Sequence, residues 1–247
     1  MLRPKTSITF ALAVAIAAVL ASTASAATDA PGSERVSARD AQKAIPLPTN
    51  ARLVRLSAPV RKAPREGARV IHKFTQFRGD FRPTVVYVLS RRVKKKSADW
   101  YRVFVPGRPN GRKGWIRVDE LRLNASAPVE IIVRRGARKL ELRRGKKVIL
   151  RTKVAVGKPG AETPLGRFYV AAAFKPGHRF LGKYAFETSA FSRLSQWPGG
   201  GIVGIHGTYQ PELLGKAVSH GCVRVSNDAV LKIKRHIELG AAFTVIP

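Results

Sequence analysis

Short apolar runs, separated by glycine, proline or aspartate, extend over most of the chain after residue 50. Runs that alternate apolar with polar residues bury one face of an extended strand and expose the other, which is the pattern of β-strands rather than helices. The predicted strands fall at residues 53–56, 70–71, 84–89, 100–105, 114–118, 130–133, 139–142, 148–156, 168–172 and 242–246. The chain is therefore predicted to be mainly β.

The N-terminus has the three parts of an export signal. Arg3 and Lys5 precede an apolar run at residues 10–21, and Ala24-Ser25-Ala26 forms a small-residue cleavage site. The run has 12 residues, which is too few to span a bilayer. We expect residues 1–26 to be removed and the mature chain to be exported, to the cell wall, periplasm or medium, with no transmembrane span. An uncleaved membrane anchor is the alternative.

Two changes in composition divide the rest of the chain. Residues 27–50 mix small, polar and proline residues without an apolar period, which is typical of a linker. Residues 124–128, Asn-Ala-Ser-Ala-Pro, interrupt the strand pattern again. Because proline cannot donate to a β-ladder, we place a domain boundary there, between a small domain at 51–123 and a second domain at 129–247.

The chain is strongly basic, with 46 Lys and Arg against 15 Asp and Glu, a formal net charge of +31. Removing Arg3 and Lys5 with the signal leaves 44 minus 15, or +29. A field of this sign attracts polyanions. In an exported protein the expected polyanions are wall polymers or anionic lipid headgroups. Specific nucleic-acid binding is not expected, because no recognised nucleic-acid module accompanies the charge.

The single cysteine, Cys222, lies in the stretch Ser-His-Gly-Cys-Val-Arg-Val at residues 219–225. An unpaired cysteine in an exported protein indicates either a reactive thiol or an intermolecular disulfide. A reactive thiol needs an imidazole or backbone N–H groups that favour the thiolate. His206 lies 16 positions upstream, a natural distance for adjacent strands or loops, and is the candidate base. Gly221 would let the backbone approach a substrate carbonyl and stabilise its oxyanion.

Three motifs carry a resemblance to a known family: His-Gly-Thr at 206–208, Ser-His-Gly-Cys-Val-Arg-Val-Ser-Asn-Asp at 219–228, and Thr-Pro-Leu-Gly at 163–166. Together they resemble the L,D-transpeptidase family with its YkuD-type catalytic domain, over residues 129–247. The resemblance implies a β-sandwich with a short helix after the catalytic cysteine. We predict that helix at 229–239, capped by residues 226–228 and closed by Gly240.

The resemblance also implies a reaction and its residues. The thiol would attack a tetrapeptide stem of peptidoglycan, release D-alanine and transfer the acyl group to an amine of a neighbouring stem, which makes 3-3 cross-links. The implied catalytic residues are Cys222 as nucleophile, His206 as base and the Gly207 carbonyl as its orienting group. From the residues themselves, the N–H groups of Gly221 and Cys222 are the candidate oxyanion donors. The implied substrate-binding residues are Ser219, His220 and Arg224, with a surface ion pair as the alternative for Arg224. No metal or other cofactor is implied. L,D-carboxypeptidase activity and transfer to other acceptors stay open.

Residues 51–123 resemble bacterial SH3-like domains, which are small β-barrels. The resemblance rests on the segment from Asp99 to Ile116, where Asn110-Gly111 would supply the positive φ angles of a tight hairpin turn. Between residues 173 and 201 the strand pattern weakens, which is typical of a lid or a substrate-binding loop.

Three other interpretations of the cysteine and its histidines compete with catalysis. A buried structural cysteine is one. A zinc site is another, although His206, His220 and Cys222 do not have a recognised zinc spacing. A papain-like peptidase is the third, but such enzymes usually place the base after the cysteine. From a different class, the chain could be a basic wall-binding protein without activity.

Overall fold

The computed structural model describes residues 38–93, 99–125, 129–196 and 199–247. The prediction of a mainly β chain is confirmed, since far more of these residues belong to strands than to helices, and only two short α-helices are present among them. The predicted signal at 1–26 and the end of the predicted domain boundary at 126–128 lie outside the described residues. No described helix has the length and hydrophobicity needed to cross a bilayer.

Seven strands form the first sheet, in the order β3-β2-β6-β5-β4-β1-β7. They are β1 (Thr49–Leu53), β2 (Ser57–Arg61), β3 (Val70–Thr75), β4 (Val85–Arg92), β5 (Trp100–Phe104), β6 (Lys113–Arg117) and β7 (Leu121–Leu123). Alternate side chains are buried on β2, β6 and β7, as the period of two predicts. Val60, Val103 and Ile116 have no exposed surface.

The predicted linker at 27–50 ends in ordered structure. Helix α1 (Ala38–Ala44) precedes the first sheet, and β1 already begins at Thr49. The helix is held to the sheet edge by Gln42, whose side-chain oxygen accepts the Leu123 N–H at 2.7 Å. An edge strand has unpaired backbone groups, and here a side-chain amide satisfies one of them.

The second sheet has eight strands in the order β10-β9-β8-β17-β12-β13-β14-β16. They are β8 (Val129–Arg134), β9 (Lys139–Arg144), β10 (Lys147–Lys153), β12 (Gly166–Phe174), β13 (Ala185–Phe191), β14 (Ile202–His206), β16 (Val223–Arg224) and β17 (Ala242–Ile246). Strands β11 (Val156–Gly157) and β15 (Ala217–Ser219) form a separate parallel pair. Helix α2 (Asn227–Lys234) follows the cysteine and buries Ala229, Val230 and Ile233 against the sheet.

Two local predictions differ from the structure. The segment 173–201 contains β13, a strand inside the sheet rather than a loop. The apolar–polar alternation of β13 is obscured because the polar residue Thr188 is buried. Burial of Thr188 is tolerated because its hydroxyl donates to the Val203 carbonyl at 2.7 Å. Helix α2 is shorter than the predicted 229–239. Ser226 caps its N-terminus by accepting the Ala229 N–H at 3.1 Å, and the chain turns after Lys234.

The two sheets belong to one compact unit and share a small apolar cluster. Tyr87 of β4 stacks on Tyr169 of β12, with ring centroids 5.8 Å apart and ring planes 5° from parallel. Phe104 of β5 completes the stack, 5.7 Å from Tyr87. Aromatic contacts of this kind add to the burial of apolar area, so this cluster joins the two sheets.

Candidate active site

Pairing of β14 with β16 brings the predicted nucleophile and base together. The two strands run parallel, with Ile205 opposite Val223 and His206 opposite Arg224. Cys222 precedes β16 and accepts the Gly204 N–H at its Sγ, at 3.3 Å. A Cβ built on Gly204 would lie 3.7 Å from that Sγ and 3.8 Å from Cδ2 of His206. The thiol and the imidazole therefore converge over a glycine that leaves the space between them open.

His206 is held in one tautomer. Its side chain is buried, and Nδ1 lies 2.7 Å from the Gly207 carbonyl oxygen. A carbonyl can only accept, so Nδ1 carries the proton and Nε2 keeps its lone pair. Burial lowers the pKa of His206 from 6.5 to about 4; the Gly207 carbonyl opposes this shift, and the positive charge of Arg224 adds to it. The imidazole is therefore neutral at pH 7.

Cys222 is a protonated thiol in the same environment. Burial raises the pKa of this thiol, while the Gly204 N–H and the charge of Arg224 act in the opposite direction. Arg224 is itself only 7% exposed, and its guanidinium lies 4.8 Å above the ring of Phe180. Among the described residues its buried Nε has no hydrogen-bond partner. The site thus holds a buried cation beside a neutral thiol and a neutral imidazole.

Two of the predicted site residues, Ser219 and Gly221, belong to the turn before the cysteine. Ser219 is 1% exposed, and its hydroxyl donates to the Cys222 carbonyl at 2.6 Å. The Ser219 hydroxyl oxygen also accepts the Gly221 N–H at 3.2 Å, so the Gly221 N–H already has a hydrogen-bond partner within the protein. Gly221 has a φ of +119°, and a Cβ on it would lie 2.7 Å from Cβ of Ser192. Ser219 therefore holds the cysteine turn, and Gly221 allows its conformation; the substrate contact of Ser219 and the oxyanion contact of Gly221 stay predictions.

Comparison with known proteins identifies the domain that contains these residues. The L,D-transpeptidase catalytic domain, YkuD, matches residues 128–246. YkuD of Bacillus licheniformis, provisionally named an L,D-transpeptidase, is 32% identical over 121 residues, which cover 49% of this chain and 67% of that protein. The chain belongs to this family. Its counterpart from Bacillus subtilis is 34% identical over 119 residues, 48% of this chain and 66% of that protein.

A solved L,D-transpeptidase from Mycobacterium smegmatis is similar over 66% of this chain and 99% of that chain, with 17% identity and a TM-score of 0.42. The chain spans about two thirds of the length of each of the two Bacillus proteins. The match to the family domain begins at residue 128, so the likeness of residues 51–123 to SH3-like domains stays a prediction.

The Thr-Pro-Leu-Gly motif of the transpeptidase domain holds the cysteine turn. Thr163 is completely buried; its hydroxyl donates to the Gly221 carbonyl at 2.9 Å and accepts the Gly157 N–H at 3.0 Å. The two bonds connect β11 to the turn that carries Cys222. The distant motif therefore acts on the nucleophile through the backbone.

The predictions from sequence missed Asn227, which holds the transpeptidase site from the other side. Its side-chain oxygen accepts the Lys183 N–H at 2.8 Å, and its amide donates to the Thr208 carbonyl at 3.0 Å. A Cβ at Gly207 would collide with the same oxygen. Asn227 thus positions the backbone that follows His206. The available signal in the sequence was that Asn227 is a second polar residue at the start of α2, where Ser226 already provides the helix cap.

Gly204 was also missed, although its position two residues before His206 places both on one face of β14. His220 is half-buried next to the cysteine. Burial lowers its pKa, and the charges of Lys158 and Arg224 add to the shift. His220 and Arg224 therefore lie at the site, whereas Ser219 lies behind it. Within the described residues, no group of three or more His, Cys, Asp or Glu is arranged as a metal site.

Proposed function

We propose that this protein is an exported peptidoglycan L,D-transpeptidase that joins two stem peptides through an acyl-enzyme on Cys222. The observation that carries the proposal is the convergence of the Cys222 thiol and the His206 imidazole over Gly204, with Nδ1 of His206 held by the Gly207 carbonyl. Membership of the L,D-transpeptidase family supports the substrate class.

In the first step, Nε2 of His206 takes the Cys222 proton as Sγ attacks the carbonyl between the third stem residue and D-alanine. The pKa directions favour a neutral thiol and a neutral imidazole, so proton transfer accompanies attack instead of preceding it. The His206 imidazolium then returns the proton to the departing amine. D-alanine leaves, and the third residue stays bound to sulfur as a thioester.

The negative oxygen of the tetrahedral intermediate needs a donor other than Gly221, whose N–H is bonded to Ser219. We assign the Cys222 N–H to this role, because it is the next amide along the same turn. A donor of this kind is worth on the order of 3 kcal/mol in comparable sites. Thr163 supports the assignment by holding the Gly221 carbonyl in place.

Arg224 supplies the positive charge of the substrate site. Its buried guanidinium lies beside the cysteine and has an Nε without a partner in the described chain. A substrate carboxylate would satisfy that donor and compensate the buried charge. His220, at the same opening, is the second proposed substrate contact.

An amine of a neighbouring stem completes the cycle by attacking the thioester, which forms the 3-3 cross-link and releases Cys222 with His206 again as the proton carrier. No metal or organic cofactor takes part in these steps. Export to the cell wall is proposed from the N-terminal signal, and binding to anionic wall polymers from the net charge of +31.

Mass spectrometry of the purified protein with a tetrapeptide-stem muropeptide tests the proposal. We expect loss of D-alanine together with a dimeric product, and neither from the Cys222→Ala variant. A tripeptide product without dimer would show L,D-carboxypeptidase activity instead. Absence of any product from both proteins would favour the basic wall-binding protein.

A further inference from the structure

A hairpin of the first sheet has an unusual residue at its tip. Between β3 and β4, Phe77 pairs with Pro83, and the Arg78 N–H donates to the Arg82 carbonyl at 2.8 Å. The loop between them ends at Phe81, which has a φ of +61°. Glycine is the usual residue at a left-handed position of a short hairpin loop, because a Cβ is disfavoured there.

Packing within the protein does not account for this conformation, because the Phe81 side chain is 88% exposed. Phe81 is unfavourable in two ways: its backbone is in the left-handed region, and its apolar ring is exposed to solvent. Such strain at an exposed position indicates a functional contact.

The hairpin is fixed to the face of the second sheet that carries the catalytic residues. Glu187 of β13 lies directly opposite Gly204 of β14, and directly opposed residues of antiparallel strands share a face. Gly204 faces the thiol and the imidazole, so Glu187 emerges on their side of the sheet. Arg78 of the hairpin forms a salt bridge with Glu187.

A second contact strengthens this placement. The guanidinium of Arg82 lies 5.1 Å above the ring of Phe174, at the end of β12. Phe174 is opposite Ala185, and Ala185 is opposite His206, so all three side chains share the catalytic face. The hairpin therefore packs on the face of the second sheet that carries His206 and faces the Cys222 thiol.

Exposed aromatic side chains are found on the hairpin and beside the catalytic histidine. Of the large apolar residues with exposed side chains among the described residues, the aromatic ones are Phe77, Phe81, Phe180 and Tyr209. Phe77 and Phe81 belong to the hairpin, and the ring centroid of Phe180 lies 6.2 Å from that of His206.

We infer that the hairpin at residues 77–83 binds the glycan strand of the peptidoglycan substrate, with the Phe81 ring against the apolar face of a sugar. The inference rests on the proposed function for the identity of the substrate. The hairpin contacts β13 through Arg78. In the sheet, β13 is two strand spacings, about 10 Å, from β16, the strand that follows Cys222. Three extended stem residues between the scissile bond and the sugar span about the same length. A sugar ring offers C–H groups to an aromatic face and hydroxyls to the charged residues beside it.

Kinetics with two donors test the contact: a disaccharide-tetrapeptide and the free tetrapeptide. Phe81→Gly should lower kcat/KM for the disaccharide-tetrapeptide about fivefold, through KM, and leave the free tetrapeptide unchanged. Phe81→Tyr should retain the wild-type values. The control is Val70→Ala, whose side chain is 47% exposed at the opposite end of β3 and which should change neither donor.

Folding does not confuse this test, because glycine adopts a positive φ without a Cβ; the melting temperature of Phe81→Gly should equal or exceed that of the wild type. Equal loss for both donors, or no loss for either, would overturn the inference.

A binding measurement separates this inference from the proposed function. In the Cys222→Ala background, calorimetry with soluble glycan strands that lack stem peptides should show binding that Phe81→Gly weakens about fivefold. If the wild type turns over neither donor, the proposed function fails, yet the glycan titration still decides the role of the hairpin. Absence of glycan binding, or Phe81-dependent binding to anionic phospholipid vesicles in its place, would contradict the inference.

Discussion

The first sheet, at residues 49–123, and the second sheet, at 129–246, are built from the same alternation of apolar and polar residues but bury different side chains. In the described part of residues 49–123, the buried polar side chains are those of Thr49 and Asn50, at the start of β1. At 129–246, in the second sheet and the segments that connect its strands, they are Glu141, Thr163, Thr188, Ser189, Ser192, His206, Thr208, Ser219 and Arg224.

This difference shows where the chain gives up stability for chemistry. A buried polar group is unfavourable unless it is hydrogen-bonded, and two of those at 129–246, Thr163 and Ser219, bind the backbone around the cysteine. The first sheet has an almost wholly apolar core and contacts the second sheet through its loops and through the aromatic stack. One part supplies reactive groups, and the other supplies a rigid support.

The support reaches the neighbourhood of the cysteine through a second hairpin. Arg108 donates to the carbonyls of Ser192 and Gly200, both at 2.9 Å, and Asn110 exchanges two hydrogen bonds with the Phe191 backbone. Only Gly111 of the predicted Asn-Gly turn has a positive φ, so the prediction of a positive φ at Asn110 is wrong. A cleft of about 730 Å³ lies beside the hairpin.

The largest effect is expected from Cys222→Ala, which removes the nucleophile of the second sheet. D-alanine release should fall by at least about 10⁴-fold, because without the thiol the imidazole has no nucleophile to activate and no acyl-enzyme forms. The melting temperature should stay close to that of the wild type. Residual release above one part in a hundred would show that another group is the nucleophile.

A matched pair of core truncations tests whether the two sheets divide stability from activity. Ile205→Ala and Ile116→Ala each remove a side chain with no exposed surface, and each should reduce the free energy of unfolding by about 2–5 kcal/mol. Only Ile205 lies between Gly204 and His206, so only its variant should also lower kcat. Denaturant unfolding and D-alanine release measured at 25 °C distinguish the two. Equal loss of kcat in both would contradict the division.

The pH dependence of stability is expected to come from the second sheet. The folded pKa of His206, about 4, lies below the unfolded value of 6.5, so the unfolded chain binds more protons between these values. Stability is therefore complete above pH 6.5 and decreases by roughly 3 kcal/mol as pH falls to about 4.

Unfolding of wild type and His206→Asn across pH 4–7 measures this contribution. The variant should lose most of the slope, whereas His72→Asn in the first sheet, where burial lowers the histidine pKa by less, should lose a smaller part of it. An unchanged slope in His206→Asn would show that His206 titrates normally. Activity of the wild type should fall on the acid side near pH 4 rather than pH 6.5.

The smallest effect compares two buried threonines. Thr163→Val removes two hydrogen bonds and leaves the Gly157 N–H and the Gly221 carbonyl without them, at a cost of about 2 kcal/mol in stability. Thr49→Val in the first sheet removes one bond, to the Asn124 carbonyl, and should cost about 1 kcal/mol. Only the Thr163 variant should lower kcat, about tenfold, through displacement of the cysteine turn. A normal kcat in Thr163→Val would show that the cysteine turn keeps its conformation without the Thr163 hydrogen bonds.

Local properties of the sequence determined the fold class and predicted the residues that we propose to react. Alternation predicts strands because a strand has two faces, and the only cysteine, which directly follows His220 and Gly221, is predicted to be the nucleophile. His206 was predictable as its partner because adjacent strands bring residues 16 positions apart together. The motif at 163–166 was predictable as a feature, although its action on Gly221 was not.

Only the tertiary structure decided what surrounds these groups. The Gly204 N–H reaches Sγ because β14 and β16 pair, Asn227 joins Lys183 to Thr208, and Ser219 turns inward and occupies the Gly221 N–H. The bonds of Gly204 and Asn227 depend on how segments far apart in sequence pack together, and the bond between Ser219 and Gly221 depends on the conformation of the cysteine turn. Residue type and spacing specify which groups can react; the packing of strands specifies which donors and charges they meet.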